Sequence, residues 1–371
     1  MRLLLVLKNS RKTECGAKQV LIRCRVRAAP FALLTLSLAS AVAAQTPKCA
    51  TPSKQQLIIY RAGSLTRAFK PLEDAFTCQT GIQVKDSAMG SVDAGRQITA
   101  GGQACDLYAP ADYLDIDLFM KPAGYADFDI VFAQGRMVLA YSENGLAAKK
   151  LPPIAEPGAF HPPDSIPKAV AKWYEILTMP GVAIGGGNPF LDPGAYRGPM
   201  IFQLAEEFYK APNLYNNLLG HVVVAGPIAA EITLGKQLDF QFTYEHNARA
   251  TASTNPDYRY VDLPDEINLS DPAKDAYYRQ HAVVVLPGLG TSRSARTIAV
   301  PGARVAWGIT LLKDAPNREN AVKFLQLLLS PAGTASLNDN GPAPITPAWV
   351  SPADFNKLPE SLRPLVKNTK K

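Results

Sequence analysis

Apolar and polar positions alternate along this chain with two different periods, and the switches between them mark out its elements. "QLIIYRAG" is an apolar run that ends in small residues, and Leu65–Thr80 then carries apolar residues at helical spacing. "IQVKDSA", "SVDAGRQITAG" and "CDLYAPA" follow as strand, helix and strand. A repeated β-α-β order implies a parallel sheet with right-handed crossovers.

Further strands are predicted at "GRMVLAYSENG", "GVAIGGGNP", "LDFQFTYEH", "YRYVDLP", "AVVVLPGL" and "ARTIAVPGARVAWGITLLKD". "AKWYEILTMPG" and "GPMIFQLAEEFYKAPNLYNNLLG" read as helical, and "NRENAVKFLQLLLSPAGTASLNDNG" as one long helix after a capping Asn317. The Pro-rich stretch from Pro152 to Pro167 reads as a connection, and the Pro-rich tail from Ala343 as a segment draped over the surface. The pattern supports an α/β protein of two lobes, without saying how the chain crosses between them.

The chain has 371 residues, 47% hydrophobic and 19% charged, which suits a folded protein with sizeable cores. Its +7 charge changes the picture only through its location. Of 39 Lys and Arg and 32 Asp and Glu, eight bases and one acid (Glu14) fall in residues 1–44, leaving 31 of each sign in the remainder. A neutral remainder does not suit a phosphate backbone, so no nucleic-acid partner is expected. Residues 1–44 read as a signal peptide. Bases up to Arg27 precede the apolar run "FALLTLSLASAVA", with small residues for cleavage near Ala43 or Ala44. About a dozen apolar residues fall short of the roughly 20 that span a bilayer. The mature protein is therefore expected outside the cytoplasm, in the periplasm. Cys49, Cys78 and Cys105 would remain there. Cys49 and Cys78 flank the first strand and its helix and are the favoured disulfide, with Cys105 a buried thiol.

Two Gly-Ser openings stand out. Ser64 and Ser91 each follow a predicted strand and begin a helix, where up to four backbone N–H groups lack partners and the dipole favours an anion. Either serine alone is ordinarily an N-cap. Two of them after consecutive parallel strands fall at the same carboxyl edge, where ligands bind. "GGGNPFLDPGAYRGPM" offers a third loop of this kind. Asp192 and Glu231 sit where loops give way to helices; they suit the helix dipole, an acid/base pair or metal ligation, and spacing alone does not decide. Nucleophile signals are poor, since "AGSL" and "MGSV" lack the second glycine of G-x-S-x-G. His161, His221, His246 and His281 are scattered, and Arg197 beside Tyr196 reads first as a structural ion pair.

Six segments, "YRAGSLTRAFKPLEDAF", "AMGSVDAGRQITAGGQACDLYAPADY", "YADFDIVFAQGRMVLAYSENG", "WYEILTMPGVAIGGGNPFLDPGAYRGPM", "LPDEINLSDPAKDAYYRQ" and "WGITLLKDAPNRENAVKFLQLLLSPAGTASL", resemble in content and order the molybdate/tungstate-binding proteins of ABC importers, tungstate-type branch. The likeness runs over roughly residues 57–345. It implies a two-lobed periplasmic-binding-protein fold (type II) with mixed, mainly parallel sheets and the ligand in the cleft between lobes. Residues 50–133 with 305–345 would form one lobe, 134–304 the other, and 346–371 a tail. The resemblance implies a hinge-closing monomer that hands its anion to a membrane permease, with no catalytic residue and no cofactor. It places Ser64, Ser91 and Tyr244 on the oxyanion's oxygens, and Asp192 and Glu231 on its metal centre. Sulfur and phosphorus centres stay tetrahedral, whereas Mo(VI) and W(VI) accept two extra oxygens, so the carboxylates would also reject sulfate and phosphate. Two alternatives stay open: the same fold for another oxyanion such as sulfate or phosphate, and a secreted hydrolase using Asp192 and Glu231.

Overall fold

The first strand alternates buried and half-buried residues because its sheet is covered unequally on its two faces. The computed structural model describes residues 49–156, 166–224, 234–289 and 297–369. Residues 1–44, with the expected leader, lie outside these.

The chain opens with β1 (Gln56–Ala62), α1 (Thr66–Thr80), β2 (Gln83–Met89), α2 (Ser91–Thr99), β3 (Leu107–Ala109) and β4 (Ile130–Gln134). A second set follows: β5 (Met137–Ser142), α3 (Glu143–Lys149), α4 (Trp173–Leu177), β6 (Ile184–Gly186), α5 (Pro193–Tyr209), α6 (Leu214–Gly220) and β7 (Val222–Val224). It continues through β8 (Phe240–Tyr244), α7 (Glu245–Ala252), β9 (Tyr258–Asp262), α8 (Asp275–His281), β10 (Val283–Pro287) and β11 (Thr297–Pro301). The described chain closes with β12 (Ala306–Leu311), α9 (Arg318–Leu328), α10 (Pro331–Asn340), β13 (Ala343–Val350) and β14 (Val366–Asn368).

Among the described residues, seven strands form one mixed sheet in the order β14-β13-β4-β12-β3-β1-β2. β2, β1 and β3 run parallel, as the β-α-β pattern requires, while β12 is antiparallel to both β3 and β4. Five strands form a second sheet, β7-β6-β8-β5-β9, in which β7, β6 and β8 are parallel. β10 and β11 pair as a separate ribbon. The chain leaves the first sheet between Gln134 and Met137 and returns between Pro301 and Ala306. The two passages lie side by side, with Gly135 N–H donating to the Val305 carbonyl at 2.9 Å.

Three sequence expectations change here. The stretch 317–341 is two helices, α9 and α10, because Pro331 has no N–H to continue the first and Ser330 caps the second through Ala332 N–H. Asn317 does not cap α9; its side chain donates to Asp106 instead. The tail beyond Ala343 is not a surface drape either. β13 pairs antiparallel to β4 and β14 pairs with β13, burying Ala348, Trp349 and Val350 in the first sheet. Alternation there is masked by prolines at 344 and 347, which fall where the ladder is interrupted between Pro344 and Trp349. Cys49 and Cys78 form a disulfide, and Cys105 is a buried free thiol.

Candidate functional site

The parallel strands β2, β1 and β3 all end at one edge of the first sheet, and small residues follow each. After β1 come Gly63 and Ser64, after β2 comes Gly90, and after β3 comes Ala111; all four line one cleft, with Met89 beside them. The facing wall comes from the second sheet. It consists of Gly185, Gly186 and Gly187 at the end of β6, Asp192, Gly194 and Ala195 at the start of α5, Gln241–Tyr244 of β8 and Asn247 of α7. The cleft measures about 380 Å³, at the small end of the range for small-molecule sites, roughly 300–1,000 Å³. Six glycines in its wall expose backbone that side chains would otherwise cover. No Lys or Arg side chain is among the described lining residues.

Ser64, Asp192 and Tyr244 thus meet in one cleft, although 180 positions separate Ser64 from Tyr244. Ser91 is fully buried just behind the wall, between Gly90 and Ala111. Its Oγ accepts from Ala111 N–H at 3.0 Å and its carbonyl from the Tyr108 hydroxyl at 2.8 Å. Glu231 and His161 lie outside the described residues.

Asp192 is the N-cap of α5, and its Oδ1 accepts from Gly194 N–H at 2.6 Å. A buried setting raises its carboxyl above the usual aspartate range, against the opposing pull of Gly194 N–H and the Arg197 guanidinium. The Tyr244 hydroxyl accepts from Arg197 at 2.6 Å, and burial moves this phenol upward, further from ionisation. Tyr244 therefore meets the cleft as a neutral hydroxyl.

Four residues packed behind the lining of this cleft were not singled out by sequence reasoning as part of it. Arg197 is buried behind Tyr244, where it also donates to the Ala111 carbonyl at 3.1 Å and stands 3.4 Å from the Asp112 carboxylate. Its neighbour Tyr196 donates to Asp112 at 2.8 Å. Trp307 donates its indole N–H to Ser64 Oγ at 3.0 Å. His246 stands 3.0 Å from the Ser64 carbonyl through Nε2, and burial lowers its pKa to about 4, so the ring is neutral. A carbonyl only accepts, so Nε2 carries the proton. The "YR" after Asp192 was the one local signal for Arg197; Trp307 and His246 gave none.

The two sheets close on each other around this cleft. Arg96 of α2 donates to the Phe190 carbonyl at 2.6 Å and the Pro287 carbonyl at 3.3 Å, and Asp93 N–H donates to the Leu191 carbonyl at 3.2 Å. Gly90 permits this approach, because a Cβ there would lie 2.5 Å from the Leu191 oxygen. What the geometry offers is a glycine-lined cleft with hydroxyl donors and one capped carboxylate.

Residues 57–342 match the profile of the bacterial extracellular solute-binding proteins. The chain belongs to that family. Among its relatives is the molybdate/tungstate-binding protein WtpA of Thermococcus kodakarensis, 31% identical over 365 residues, covering 90% of this chain and 94% of the relative. WtpA of Pyrococcus abyssi is 33% identical over 341 residues, 84% of this chain and 90% of that one. Solved structures share the fold at low identity. The sulfate-binding protein SubI of Mycobacterium tuberculosis superposes with a TM-score of 0.54 at 15% identity, covering 78% of this chain and 87% of SubI. The periplasmic molybdate-binding protein of Azotobacter vinelandii gives 0.50 at 16%, covering 77% and 98%. The family's periplasmic-binding-protein fold is therefore the fold of this chain.

Proposed function

We propose that this protein captures molybdate or tungstate outside the cytoplasm and delivers it, as a monomer and chemically unchanged, to the permease of an ABC importer. The observation that carries the reading is the meeting of Ser64, Asp192 and Tyr244 in a glycine-lined cleft without a lysine or arginine in its described wall. A site for a bare oxyanion has no use for a carboxylate, which would repel it. A carboxylate is useful where the ligand's centre itself accepts oxygen, as Mo(VI) and W(VI) do. Asp192 Oδ1 is held by Gly194 N–H, which leaves Oδ2 for that centre. Glu231, implied by the resemblance, would be the second such ligand. Ser64 and Tyr244 would hold the oxyanion's oxygens from the two facing walls, and Ser91 would contribute from behind Gly90. Identity above 30% to two molybdate/tungstate-binding proteins supports the choice of ligand.

Micromolar affinity requires about 8 kcal/mol, and a few charge-assisted hydrogen bonds of about 1.5–3 kcal/mol each are of that scale. The leader would be removed near Ala43 or Ala44 during export. Titration calorimetry of the mature, ligand-stripped protein tests the reading. Tungstate and molybdate should bind near one equivalent, and sulfate should give no heat. Comparable sulfate affinity would overturn the carboxylate mechanism; turnover of a phosphoester or glycoside would overturn the assignment as a binding protein.

A further inference from the structure

Trp307 is fully buried at the start of the returning strand β12, and it touches every part that must move together when this cleft closes. Its indole N–H donates to Ser64 Oγ at 3.0 Å. Its ring lies 5.0 Å from the Tyr244 ring and 5.2 Å from His246, both carried by the facing wall. Against its other side lies Gly135 of the outgoing passage, where a Cβ would come within 3.0 Å of the six-membered ring. Trp307 therefore connects the ligand serine, the opposite wall and both passages between the sheets.

The hydrogen-bond chemistry is directional. An indole N–H only donates, whereas a hydroxyl has one proton and two acceptor sites. Facing Trp307, Ser64 Oγ must accept, and its single proton has to point elsewhere. The Ser64 carbonyl is likewise taken by His246. With both oxygens of Ser64 accepting from buried aromatic donors, its hydroxyl proton is left for the cleft. A fully deprotonated tetraoxo anion offers only acceptors. A freely rotating serine would turn a lone pair toward it part of the time, and that orientation repels.

We propose that Trp307 is a positioning residue of the anion site: it fixes Ser64 as a donor toward the ligand and ties that orientation to closure of the two walls. This rests on the reading of the cleft as an oxyanion site.

A double-mutant cycle tests it, using tungstate titrations of the unsubstituted protein, Trp307→Phe, Ser64→Ala and the double variant. Trp307→Phe keeps an aromatic ring and removes the N–H, and it should weaken tungstate binding about five- to tenfold, the scale of one neutral hydrogen bond. In the Ser64→Ala background the same substitution should change affinity less than twofold. A merely structural tryptophan would weaken both backgrounds alike, and that additivity would overturn the proposal. Should Trp307→Phe not fold, Gly135→Ala presses on the ring while retaining the N–H. It should show the same non-additivity with Ser64→Ala, and equal losses in both backgrounds would again overturn the idea. Silence of the unsubstituted protein toward tungstate and molybdate would overturn the oxyanion reading and this inference with it, whereas additive losses in a tungstate-binding protein overturn this inference alone.

Discussion

Asp192 answers two demands with one carboxylate. It caps α5 through Oδ1, and it faces a cleft in which burial already opposes its charge. The demands separate chemically, because asparagine caps a helix about as well as aspartate but carries no charge. Asp192→Asn should therefore melt within about 2 °C of the unsubstituted protein while losing on the order of a hundredfold in tungstate affinity, two hydrogen bonds' worth of charge assistance. Melting curves and titrations on the same samples decide it. Retained affinity would mean that the carboxylate is only a cap. Residue chemistry of this local kind was legible in the sequence, since Ser64, Ser91 and Asp192 each announce a helix start beside glycines. Tyr244 entered through the family resemblance. Trp307 gave no local signal, because its link to Ser64 spans 243 positions and only the folded sheet brings the two together. Arg197 was seen as an ion-pair partner; its role behind Tyr244 depends on a contact spanning 47 positions.

Periodicity located β1, β8 and helices α1 and α2 because each presents one buried and one more open face, while β5 was found as a continuous apolar run buried throughout. The pattern blurred where a helix kept its apolar stripe across a break. α5 and α6 read as continuous, yet Lys210 and Asn213 adopt positive φ around Pro212 and turn the chain. α2 shows what an element adds beyond its residues. Its N-terminus sits at the cleft, while Arg96 in its last turn donates to carbonyls of two separate segments, at Phe190 and Pro287. A helix anchored at both ends in this way ties the two walls of the cleft together. Arg96→Ala removes two charge-assisted bonds that cross between the walls of the cleft. It should accelerate tungstate release by roughly tenfold with little change in the association rate. Stopped-flow dissociation measures this directly; an unchanged off-rate would show that the two bonds exchange freely with water.

At the scale of the whole molecule, the two walls also bring buried charge together. Asp112 and Asp115 follow β3 of the first sheet, and Tyr196 and Arg197 belong to α5 beside the second. Tyr196 donates to Asp112, with Asp115 Oδ1 3.4 Å from the same hydroxyl, while Asp115 Oδ2 is buried without a hydrogen-bond partner. An unpaired buried carboxylate oxygen suits a protonated acid better than an ion. Burial raises the Asp115 pKa first and the Asp112 charge raises it further, with Asp192 adding and Arg197 opposing. No sequence pattern foretells such a cluster, since its members come from both sides of the cleft. Were opening of the cleft to expose this cluster, closing would take up a proton. An Asp115 exposed by opening would return toward the ordinary aspartate range, so between that range and its raised value the closed form holds one more proton than the open form. The sign follows. Tungstate affinity should be greatest at the acid end, fall as the pH rises through this interval by at most about tenfold per unit, and level off above it. Asp115→Asn keeps the shape, never ionises, and should flatten that part of the profile. Titrations from pH 5 to 9 compare the two. Parallel profiles would place the titrating group outside this cluster, and not at Asp192, whose ionisation as a ligand of the metal centre would make affinity rise with pH.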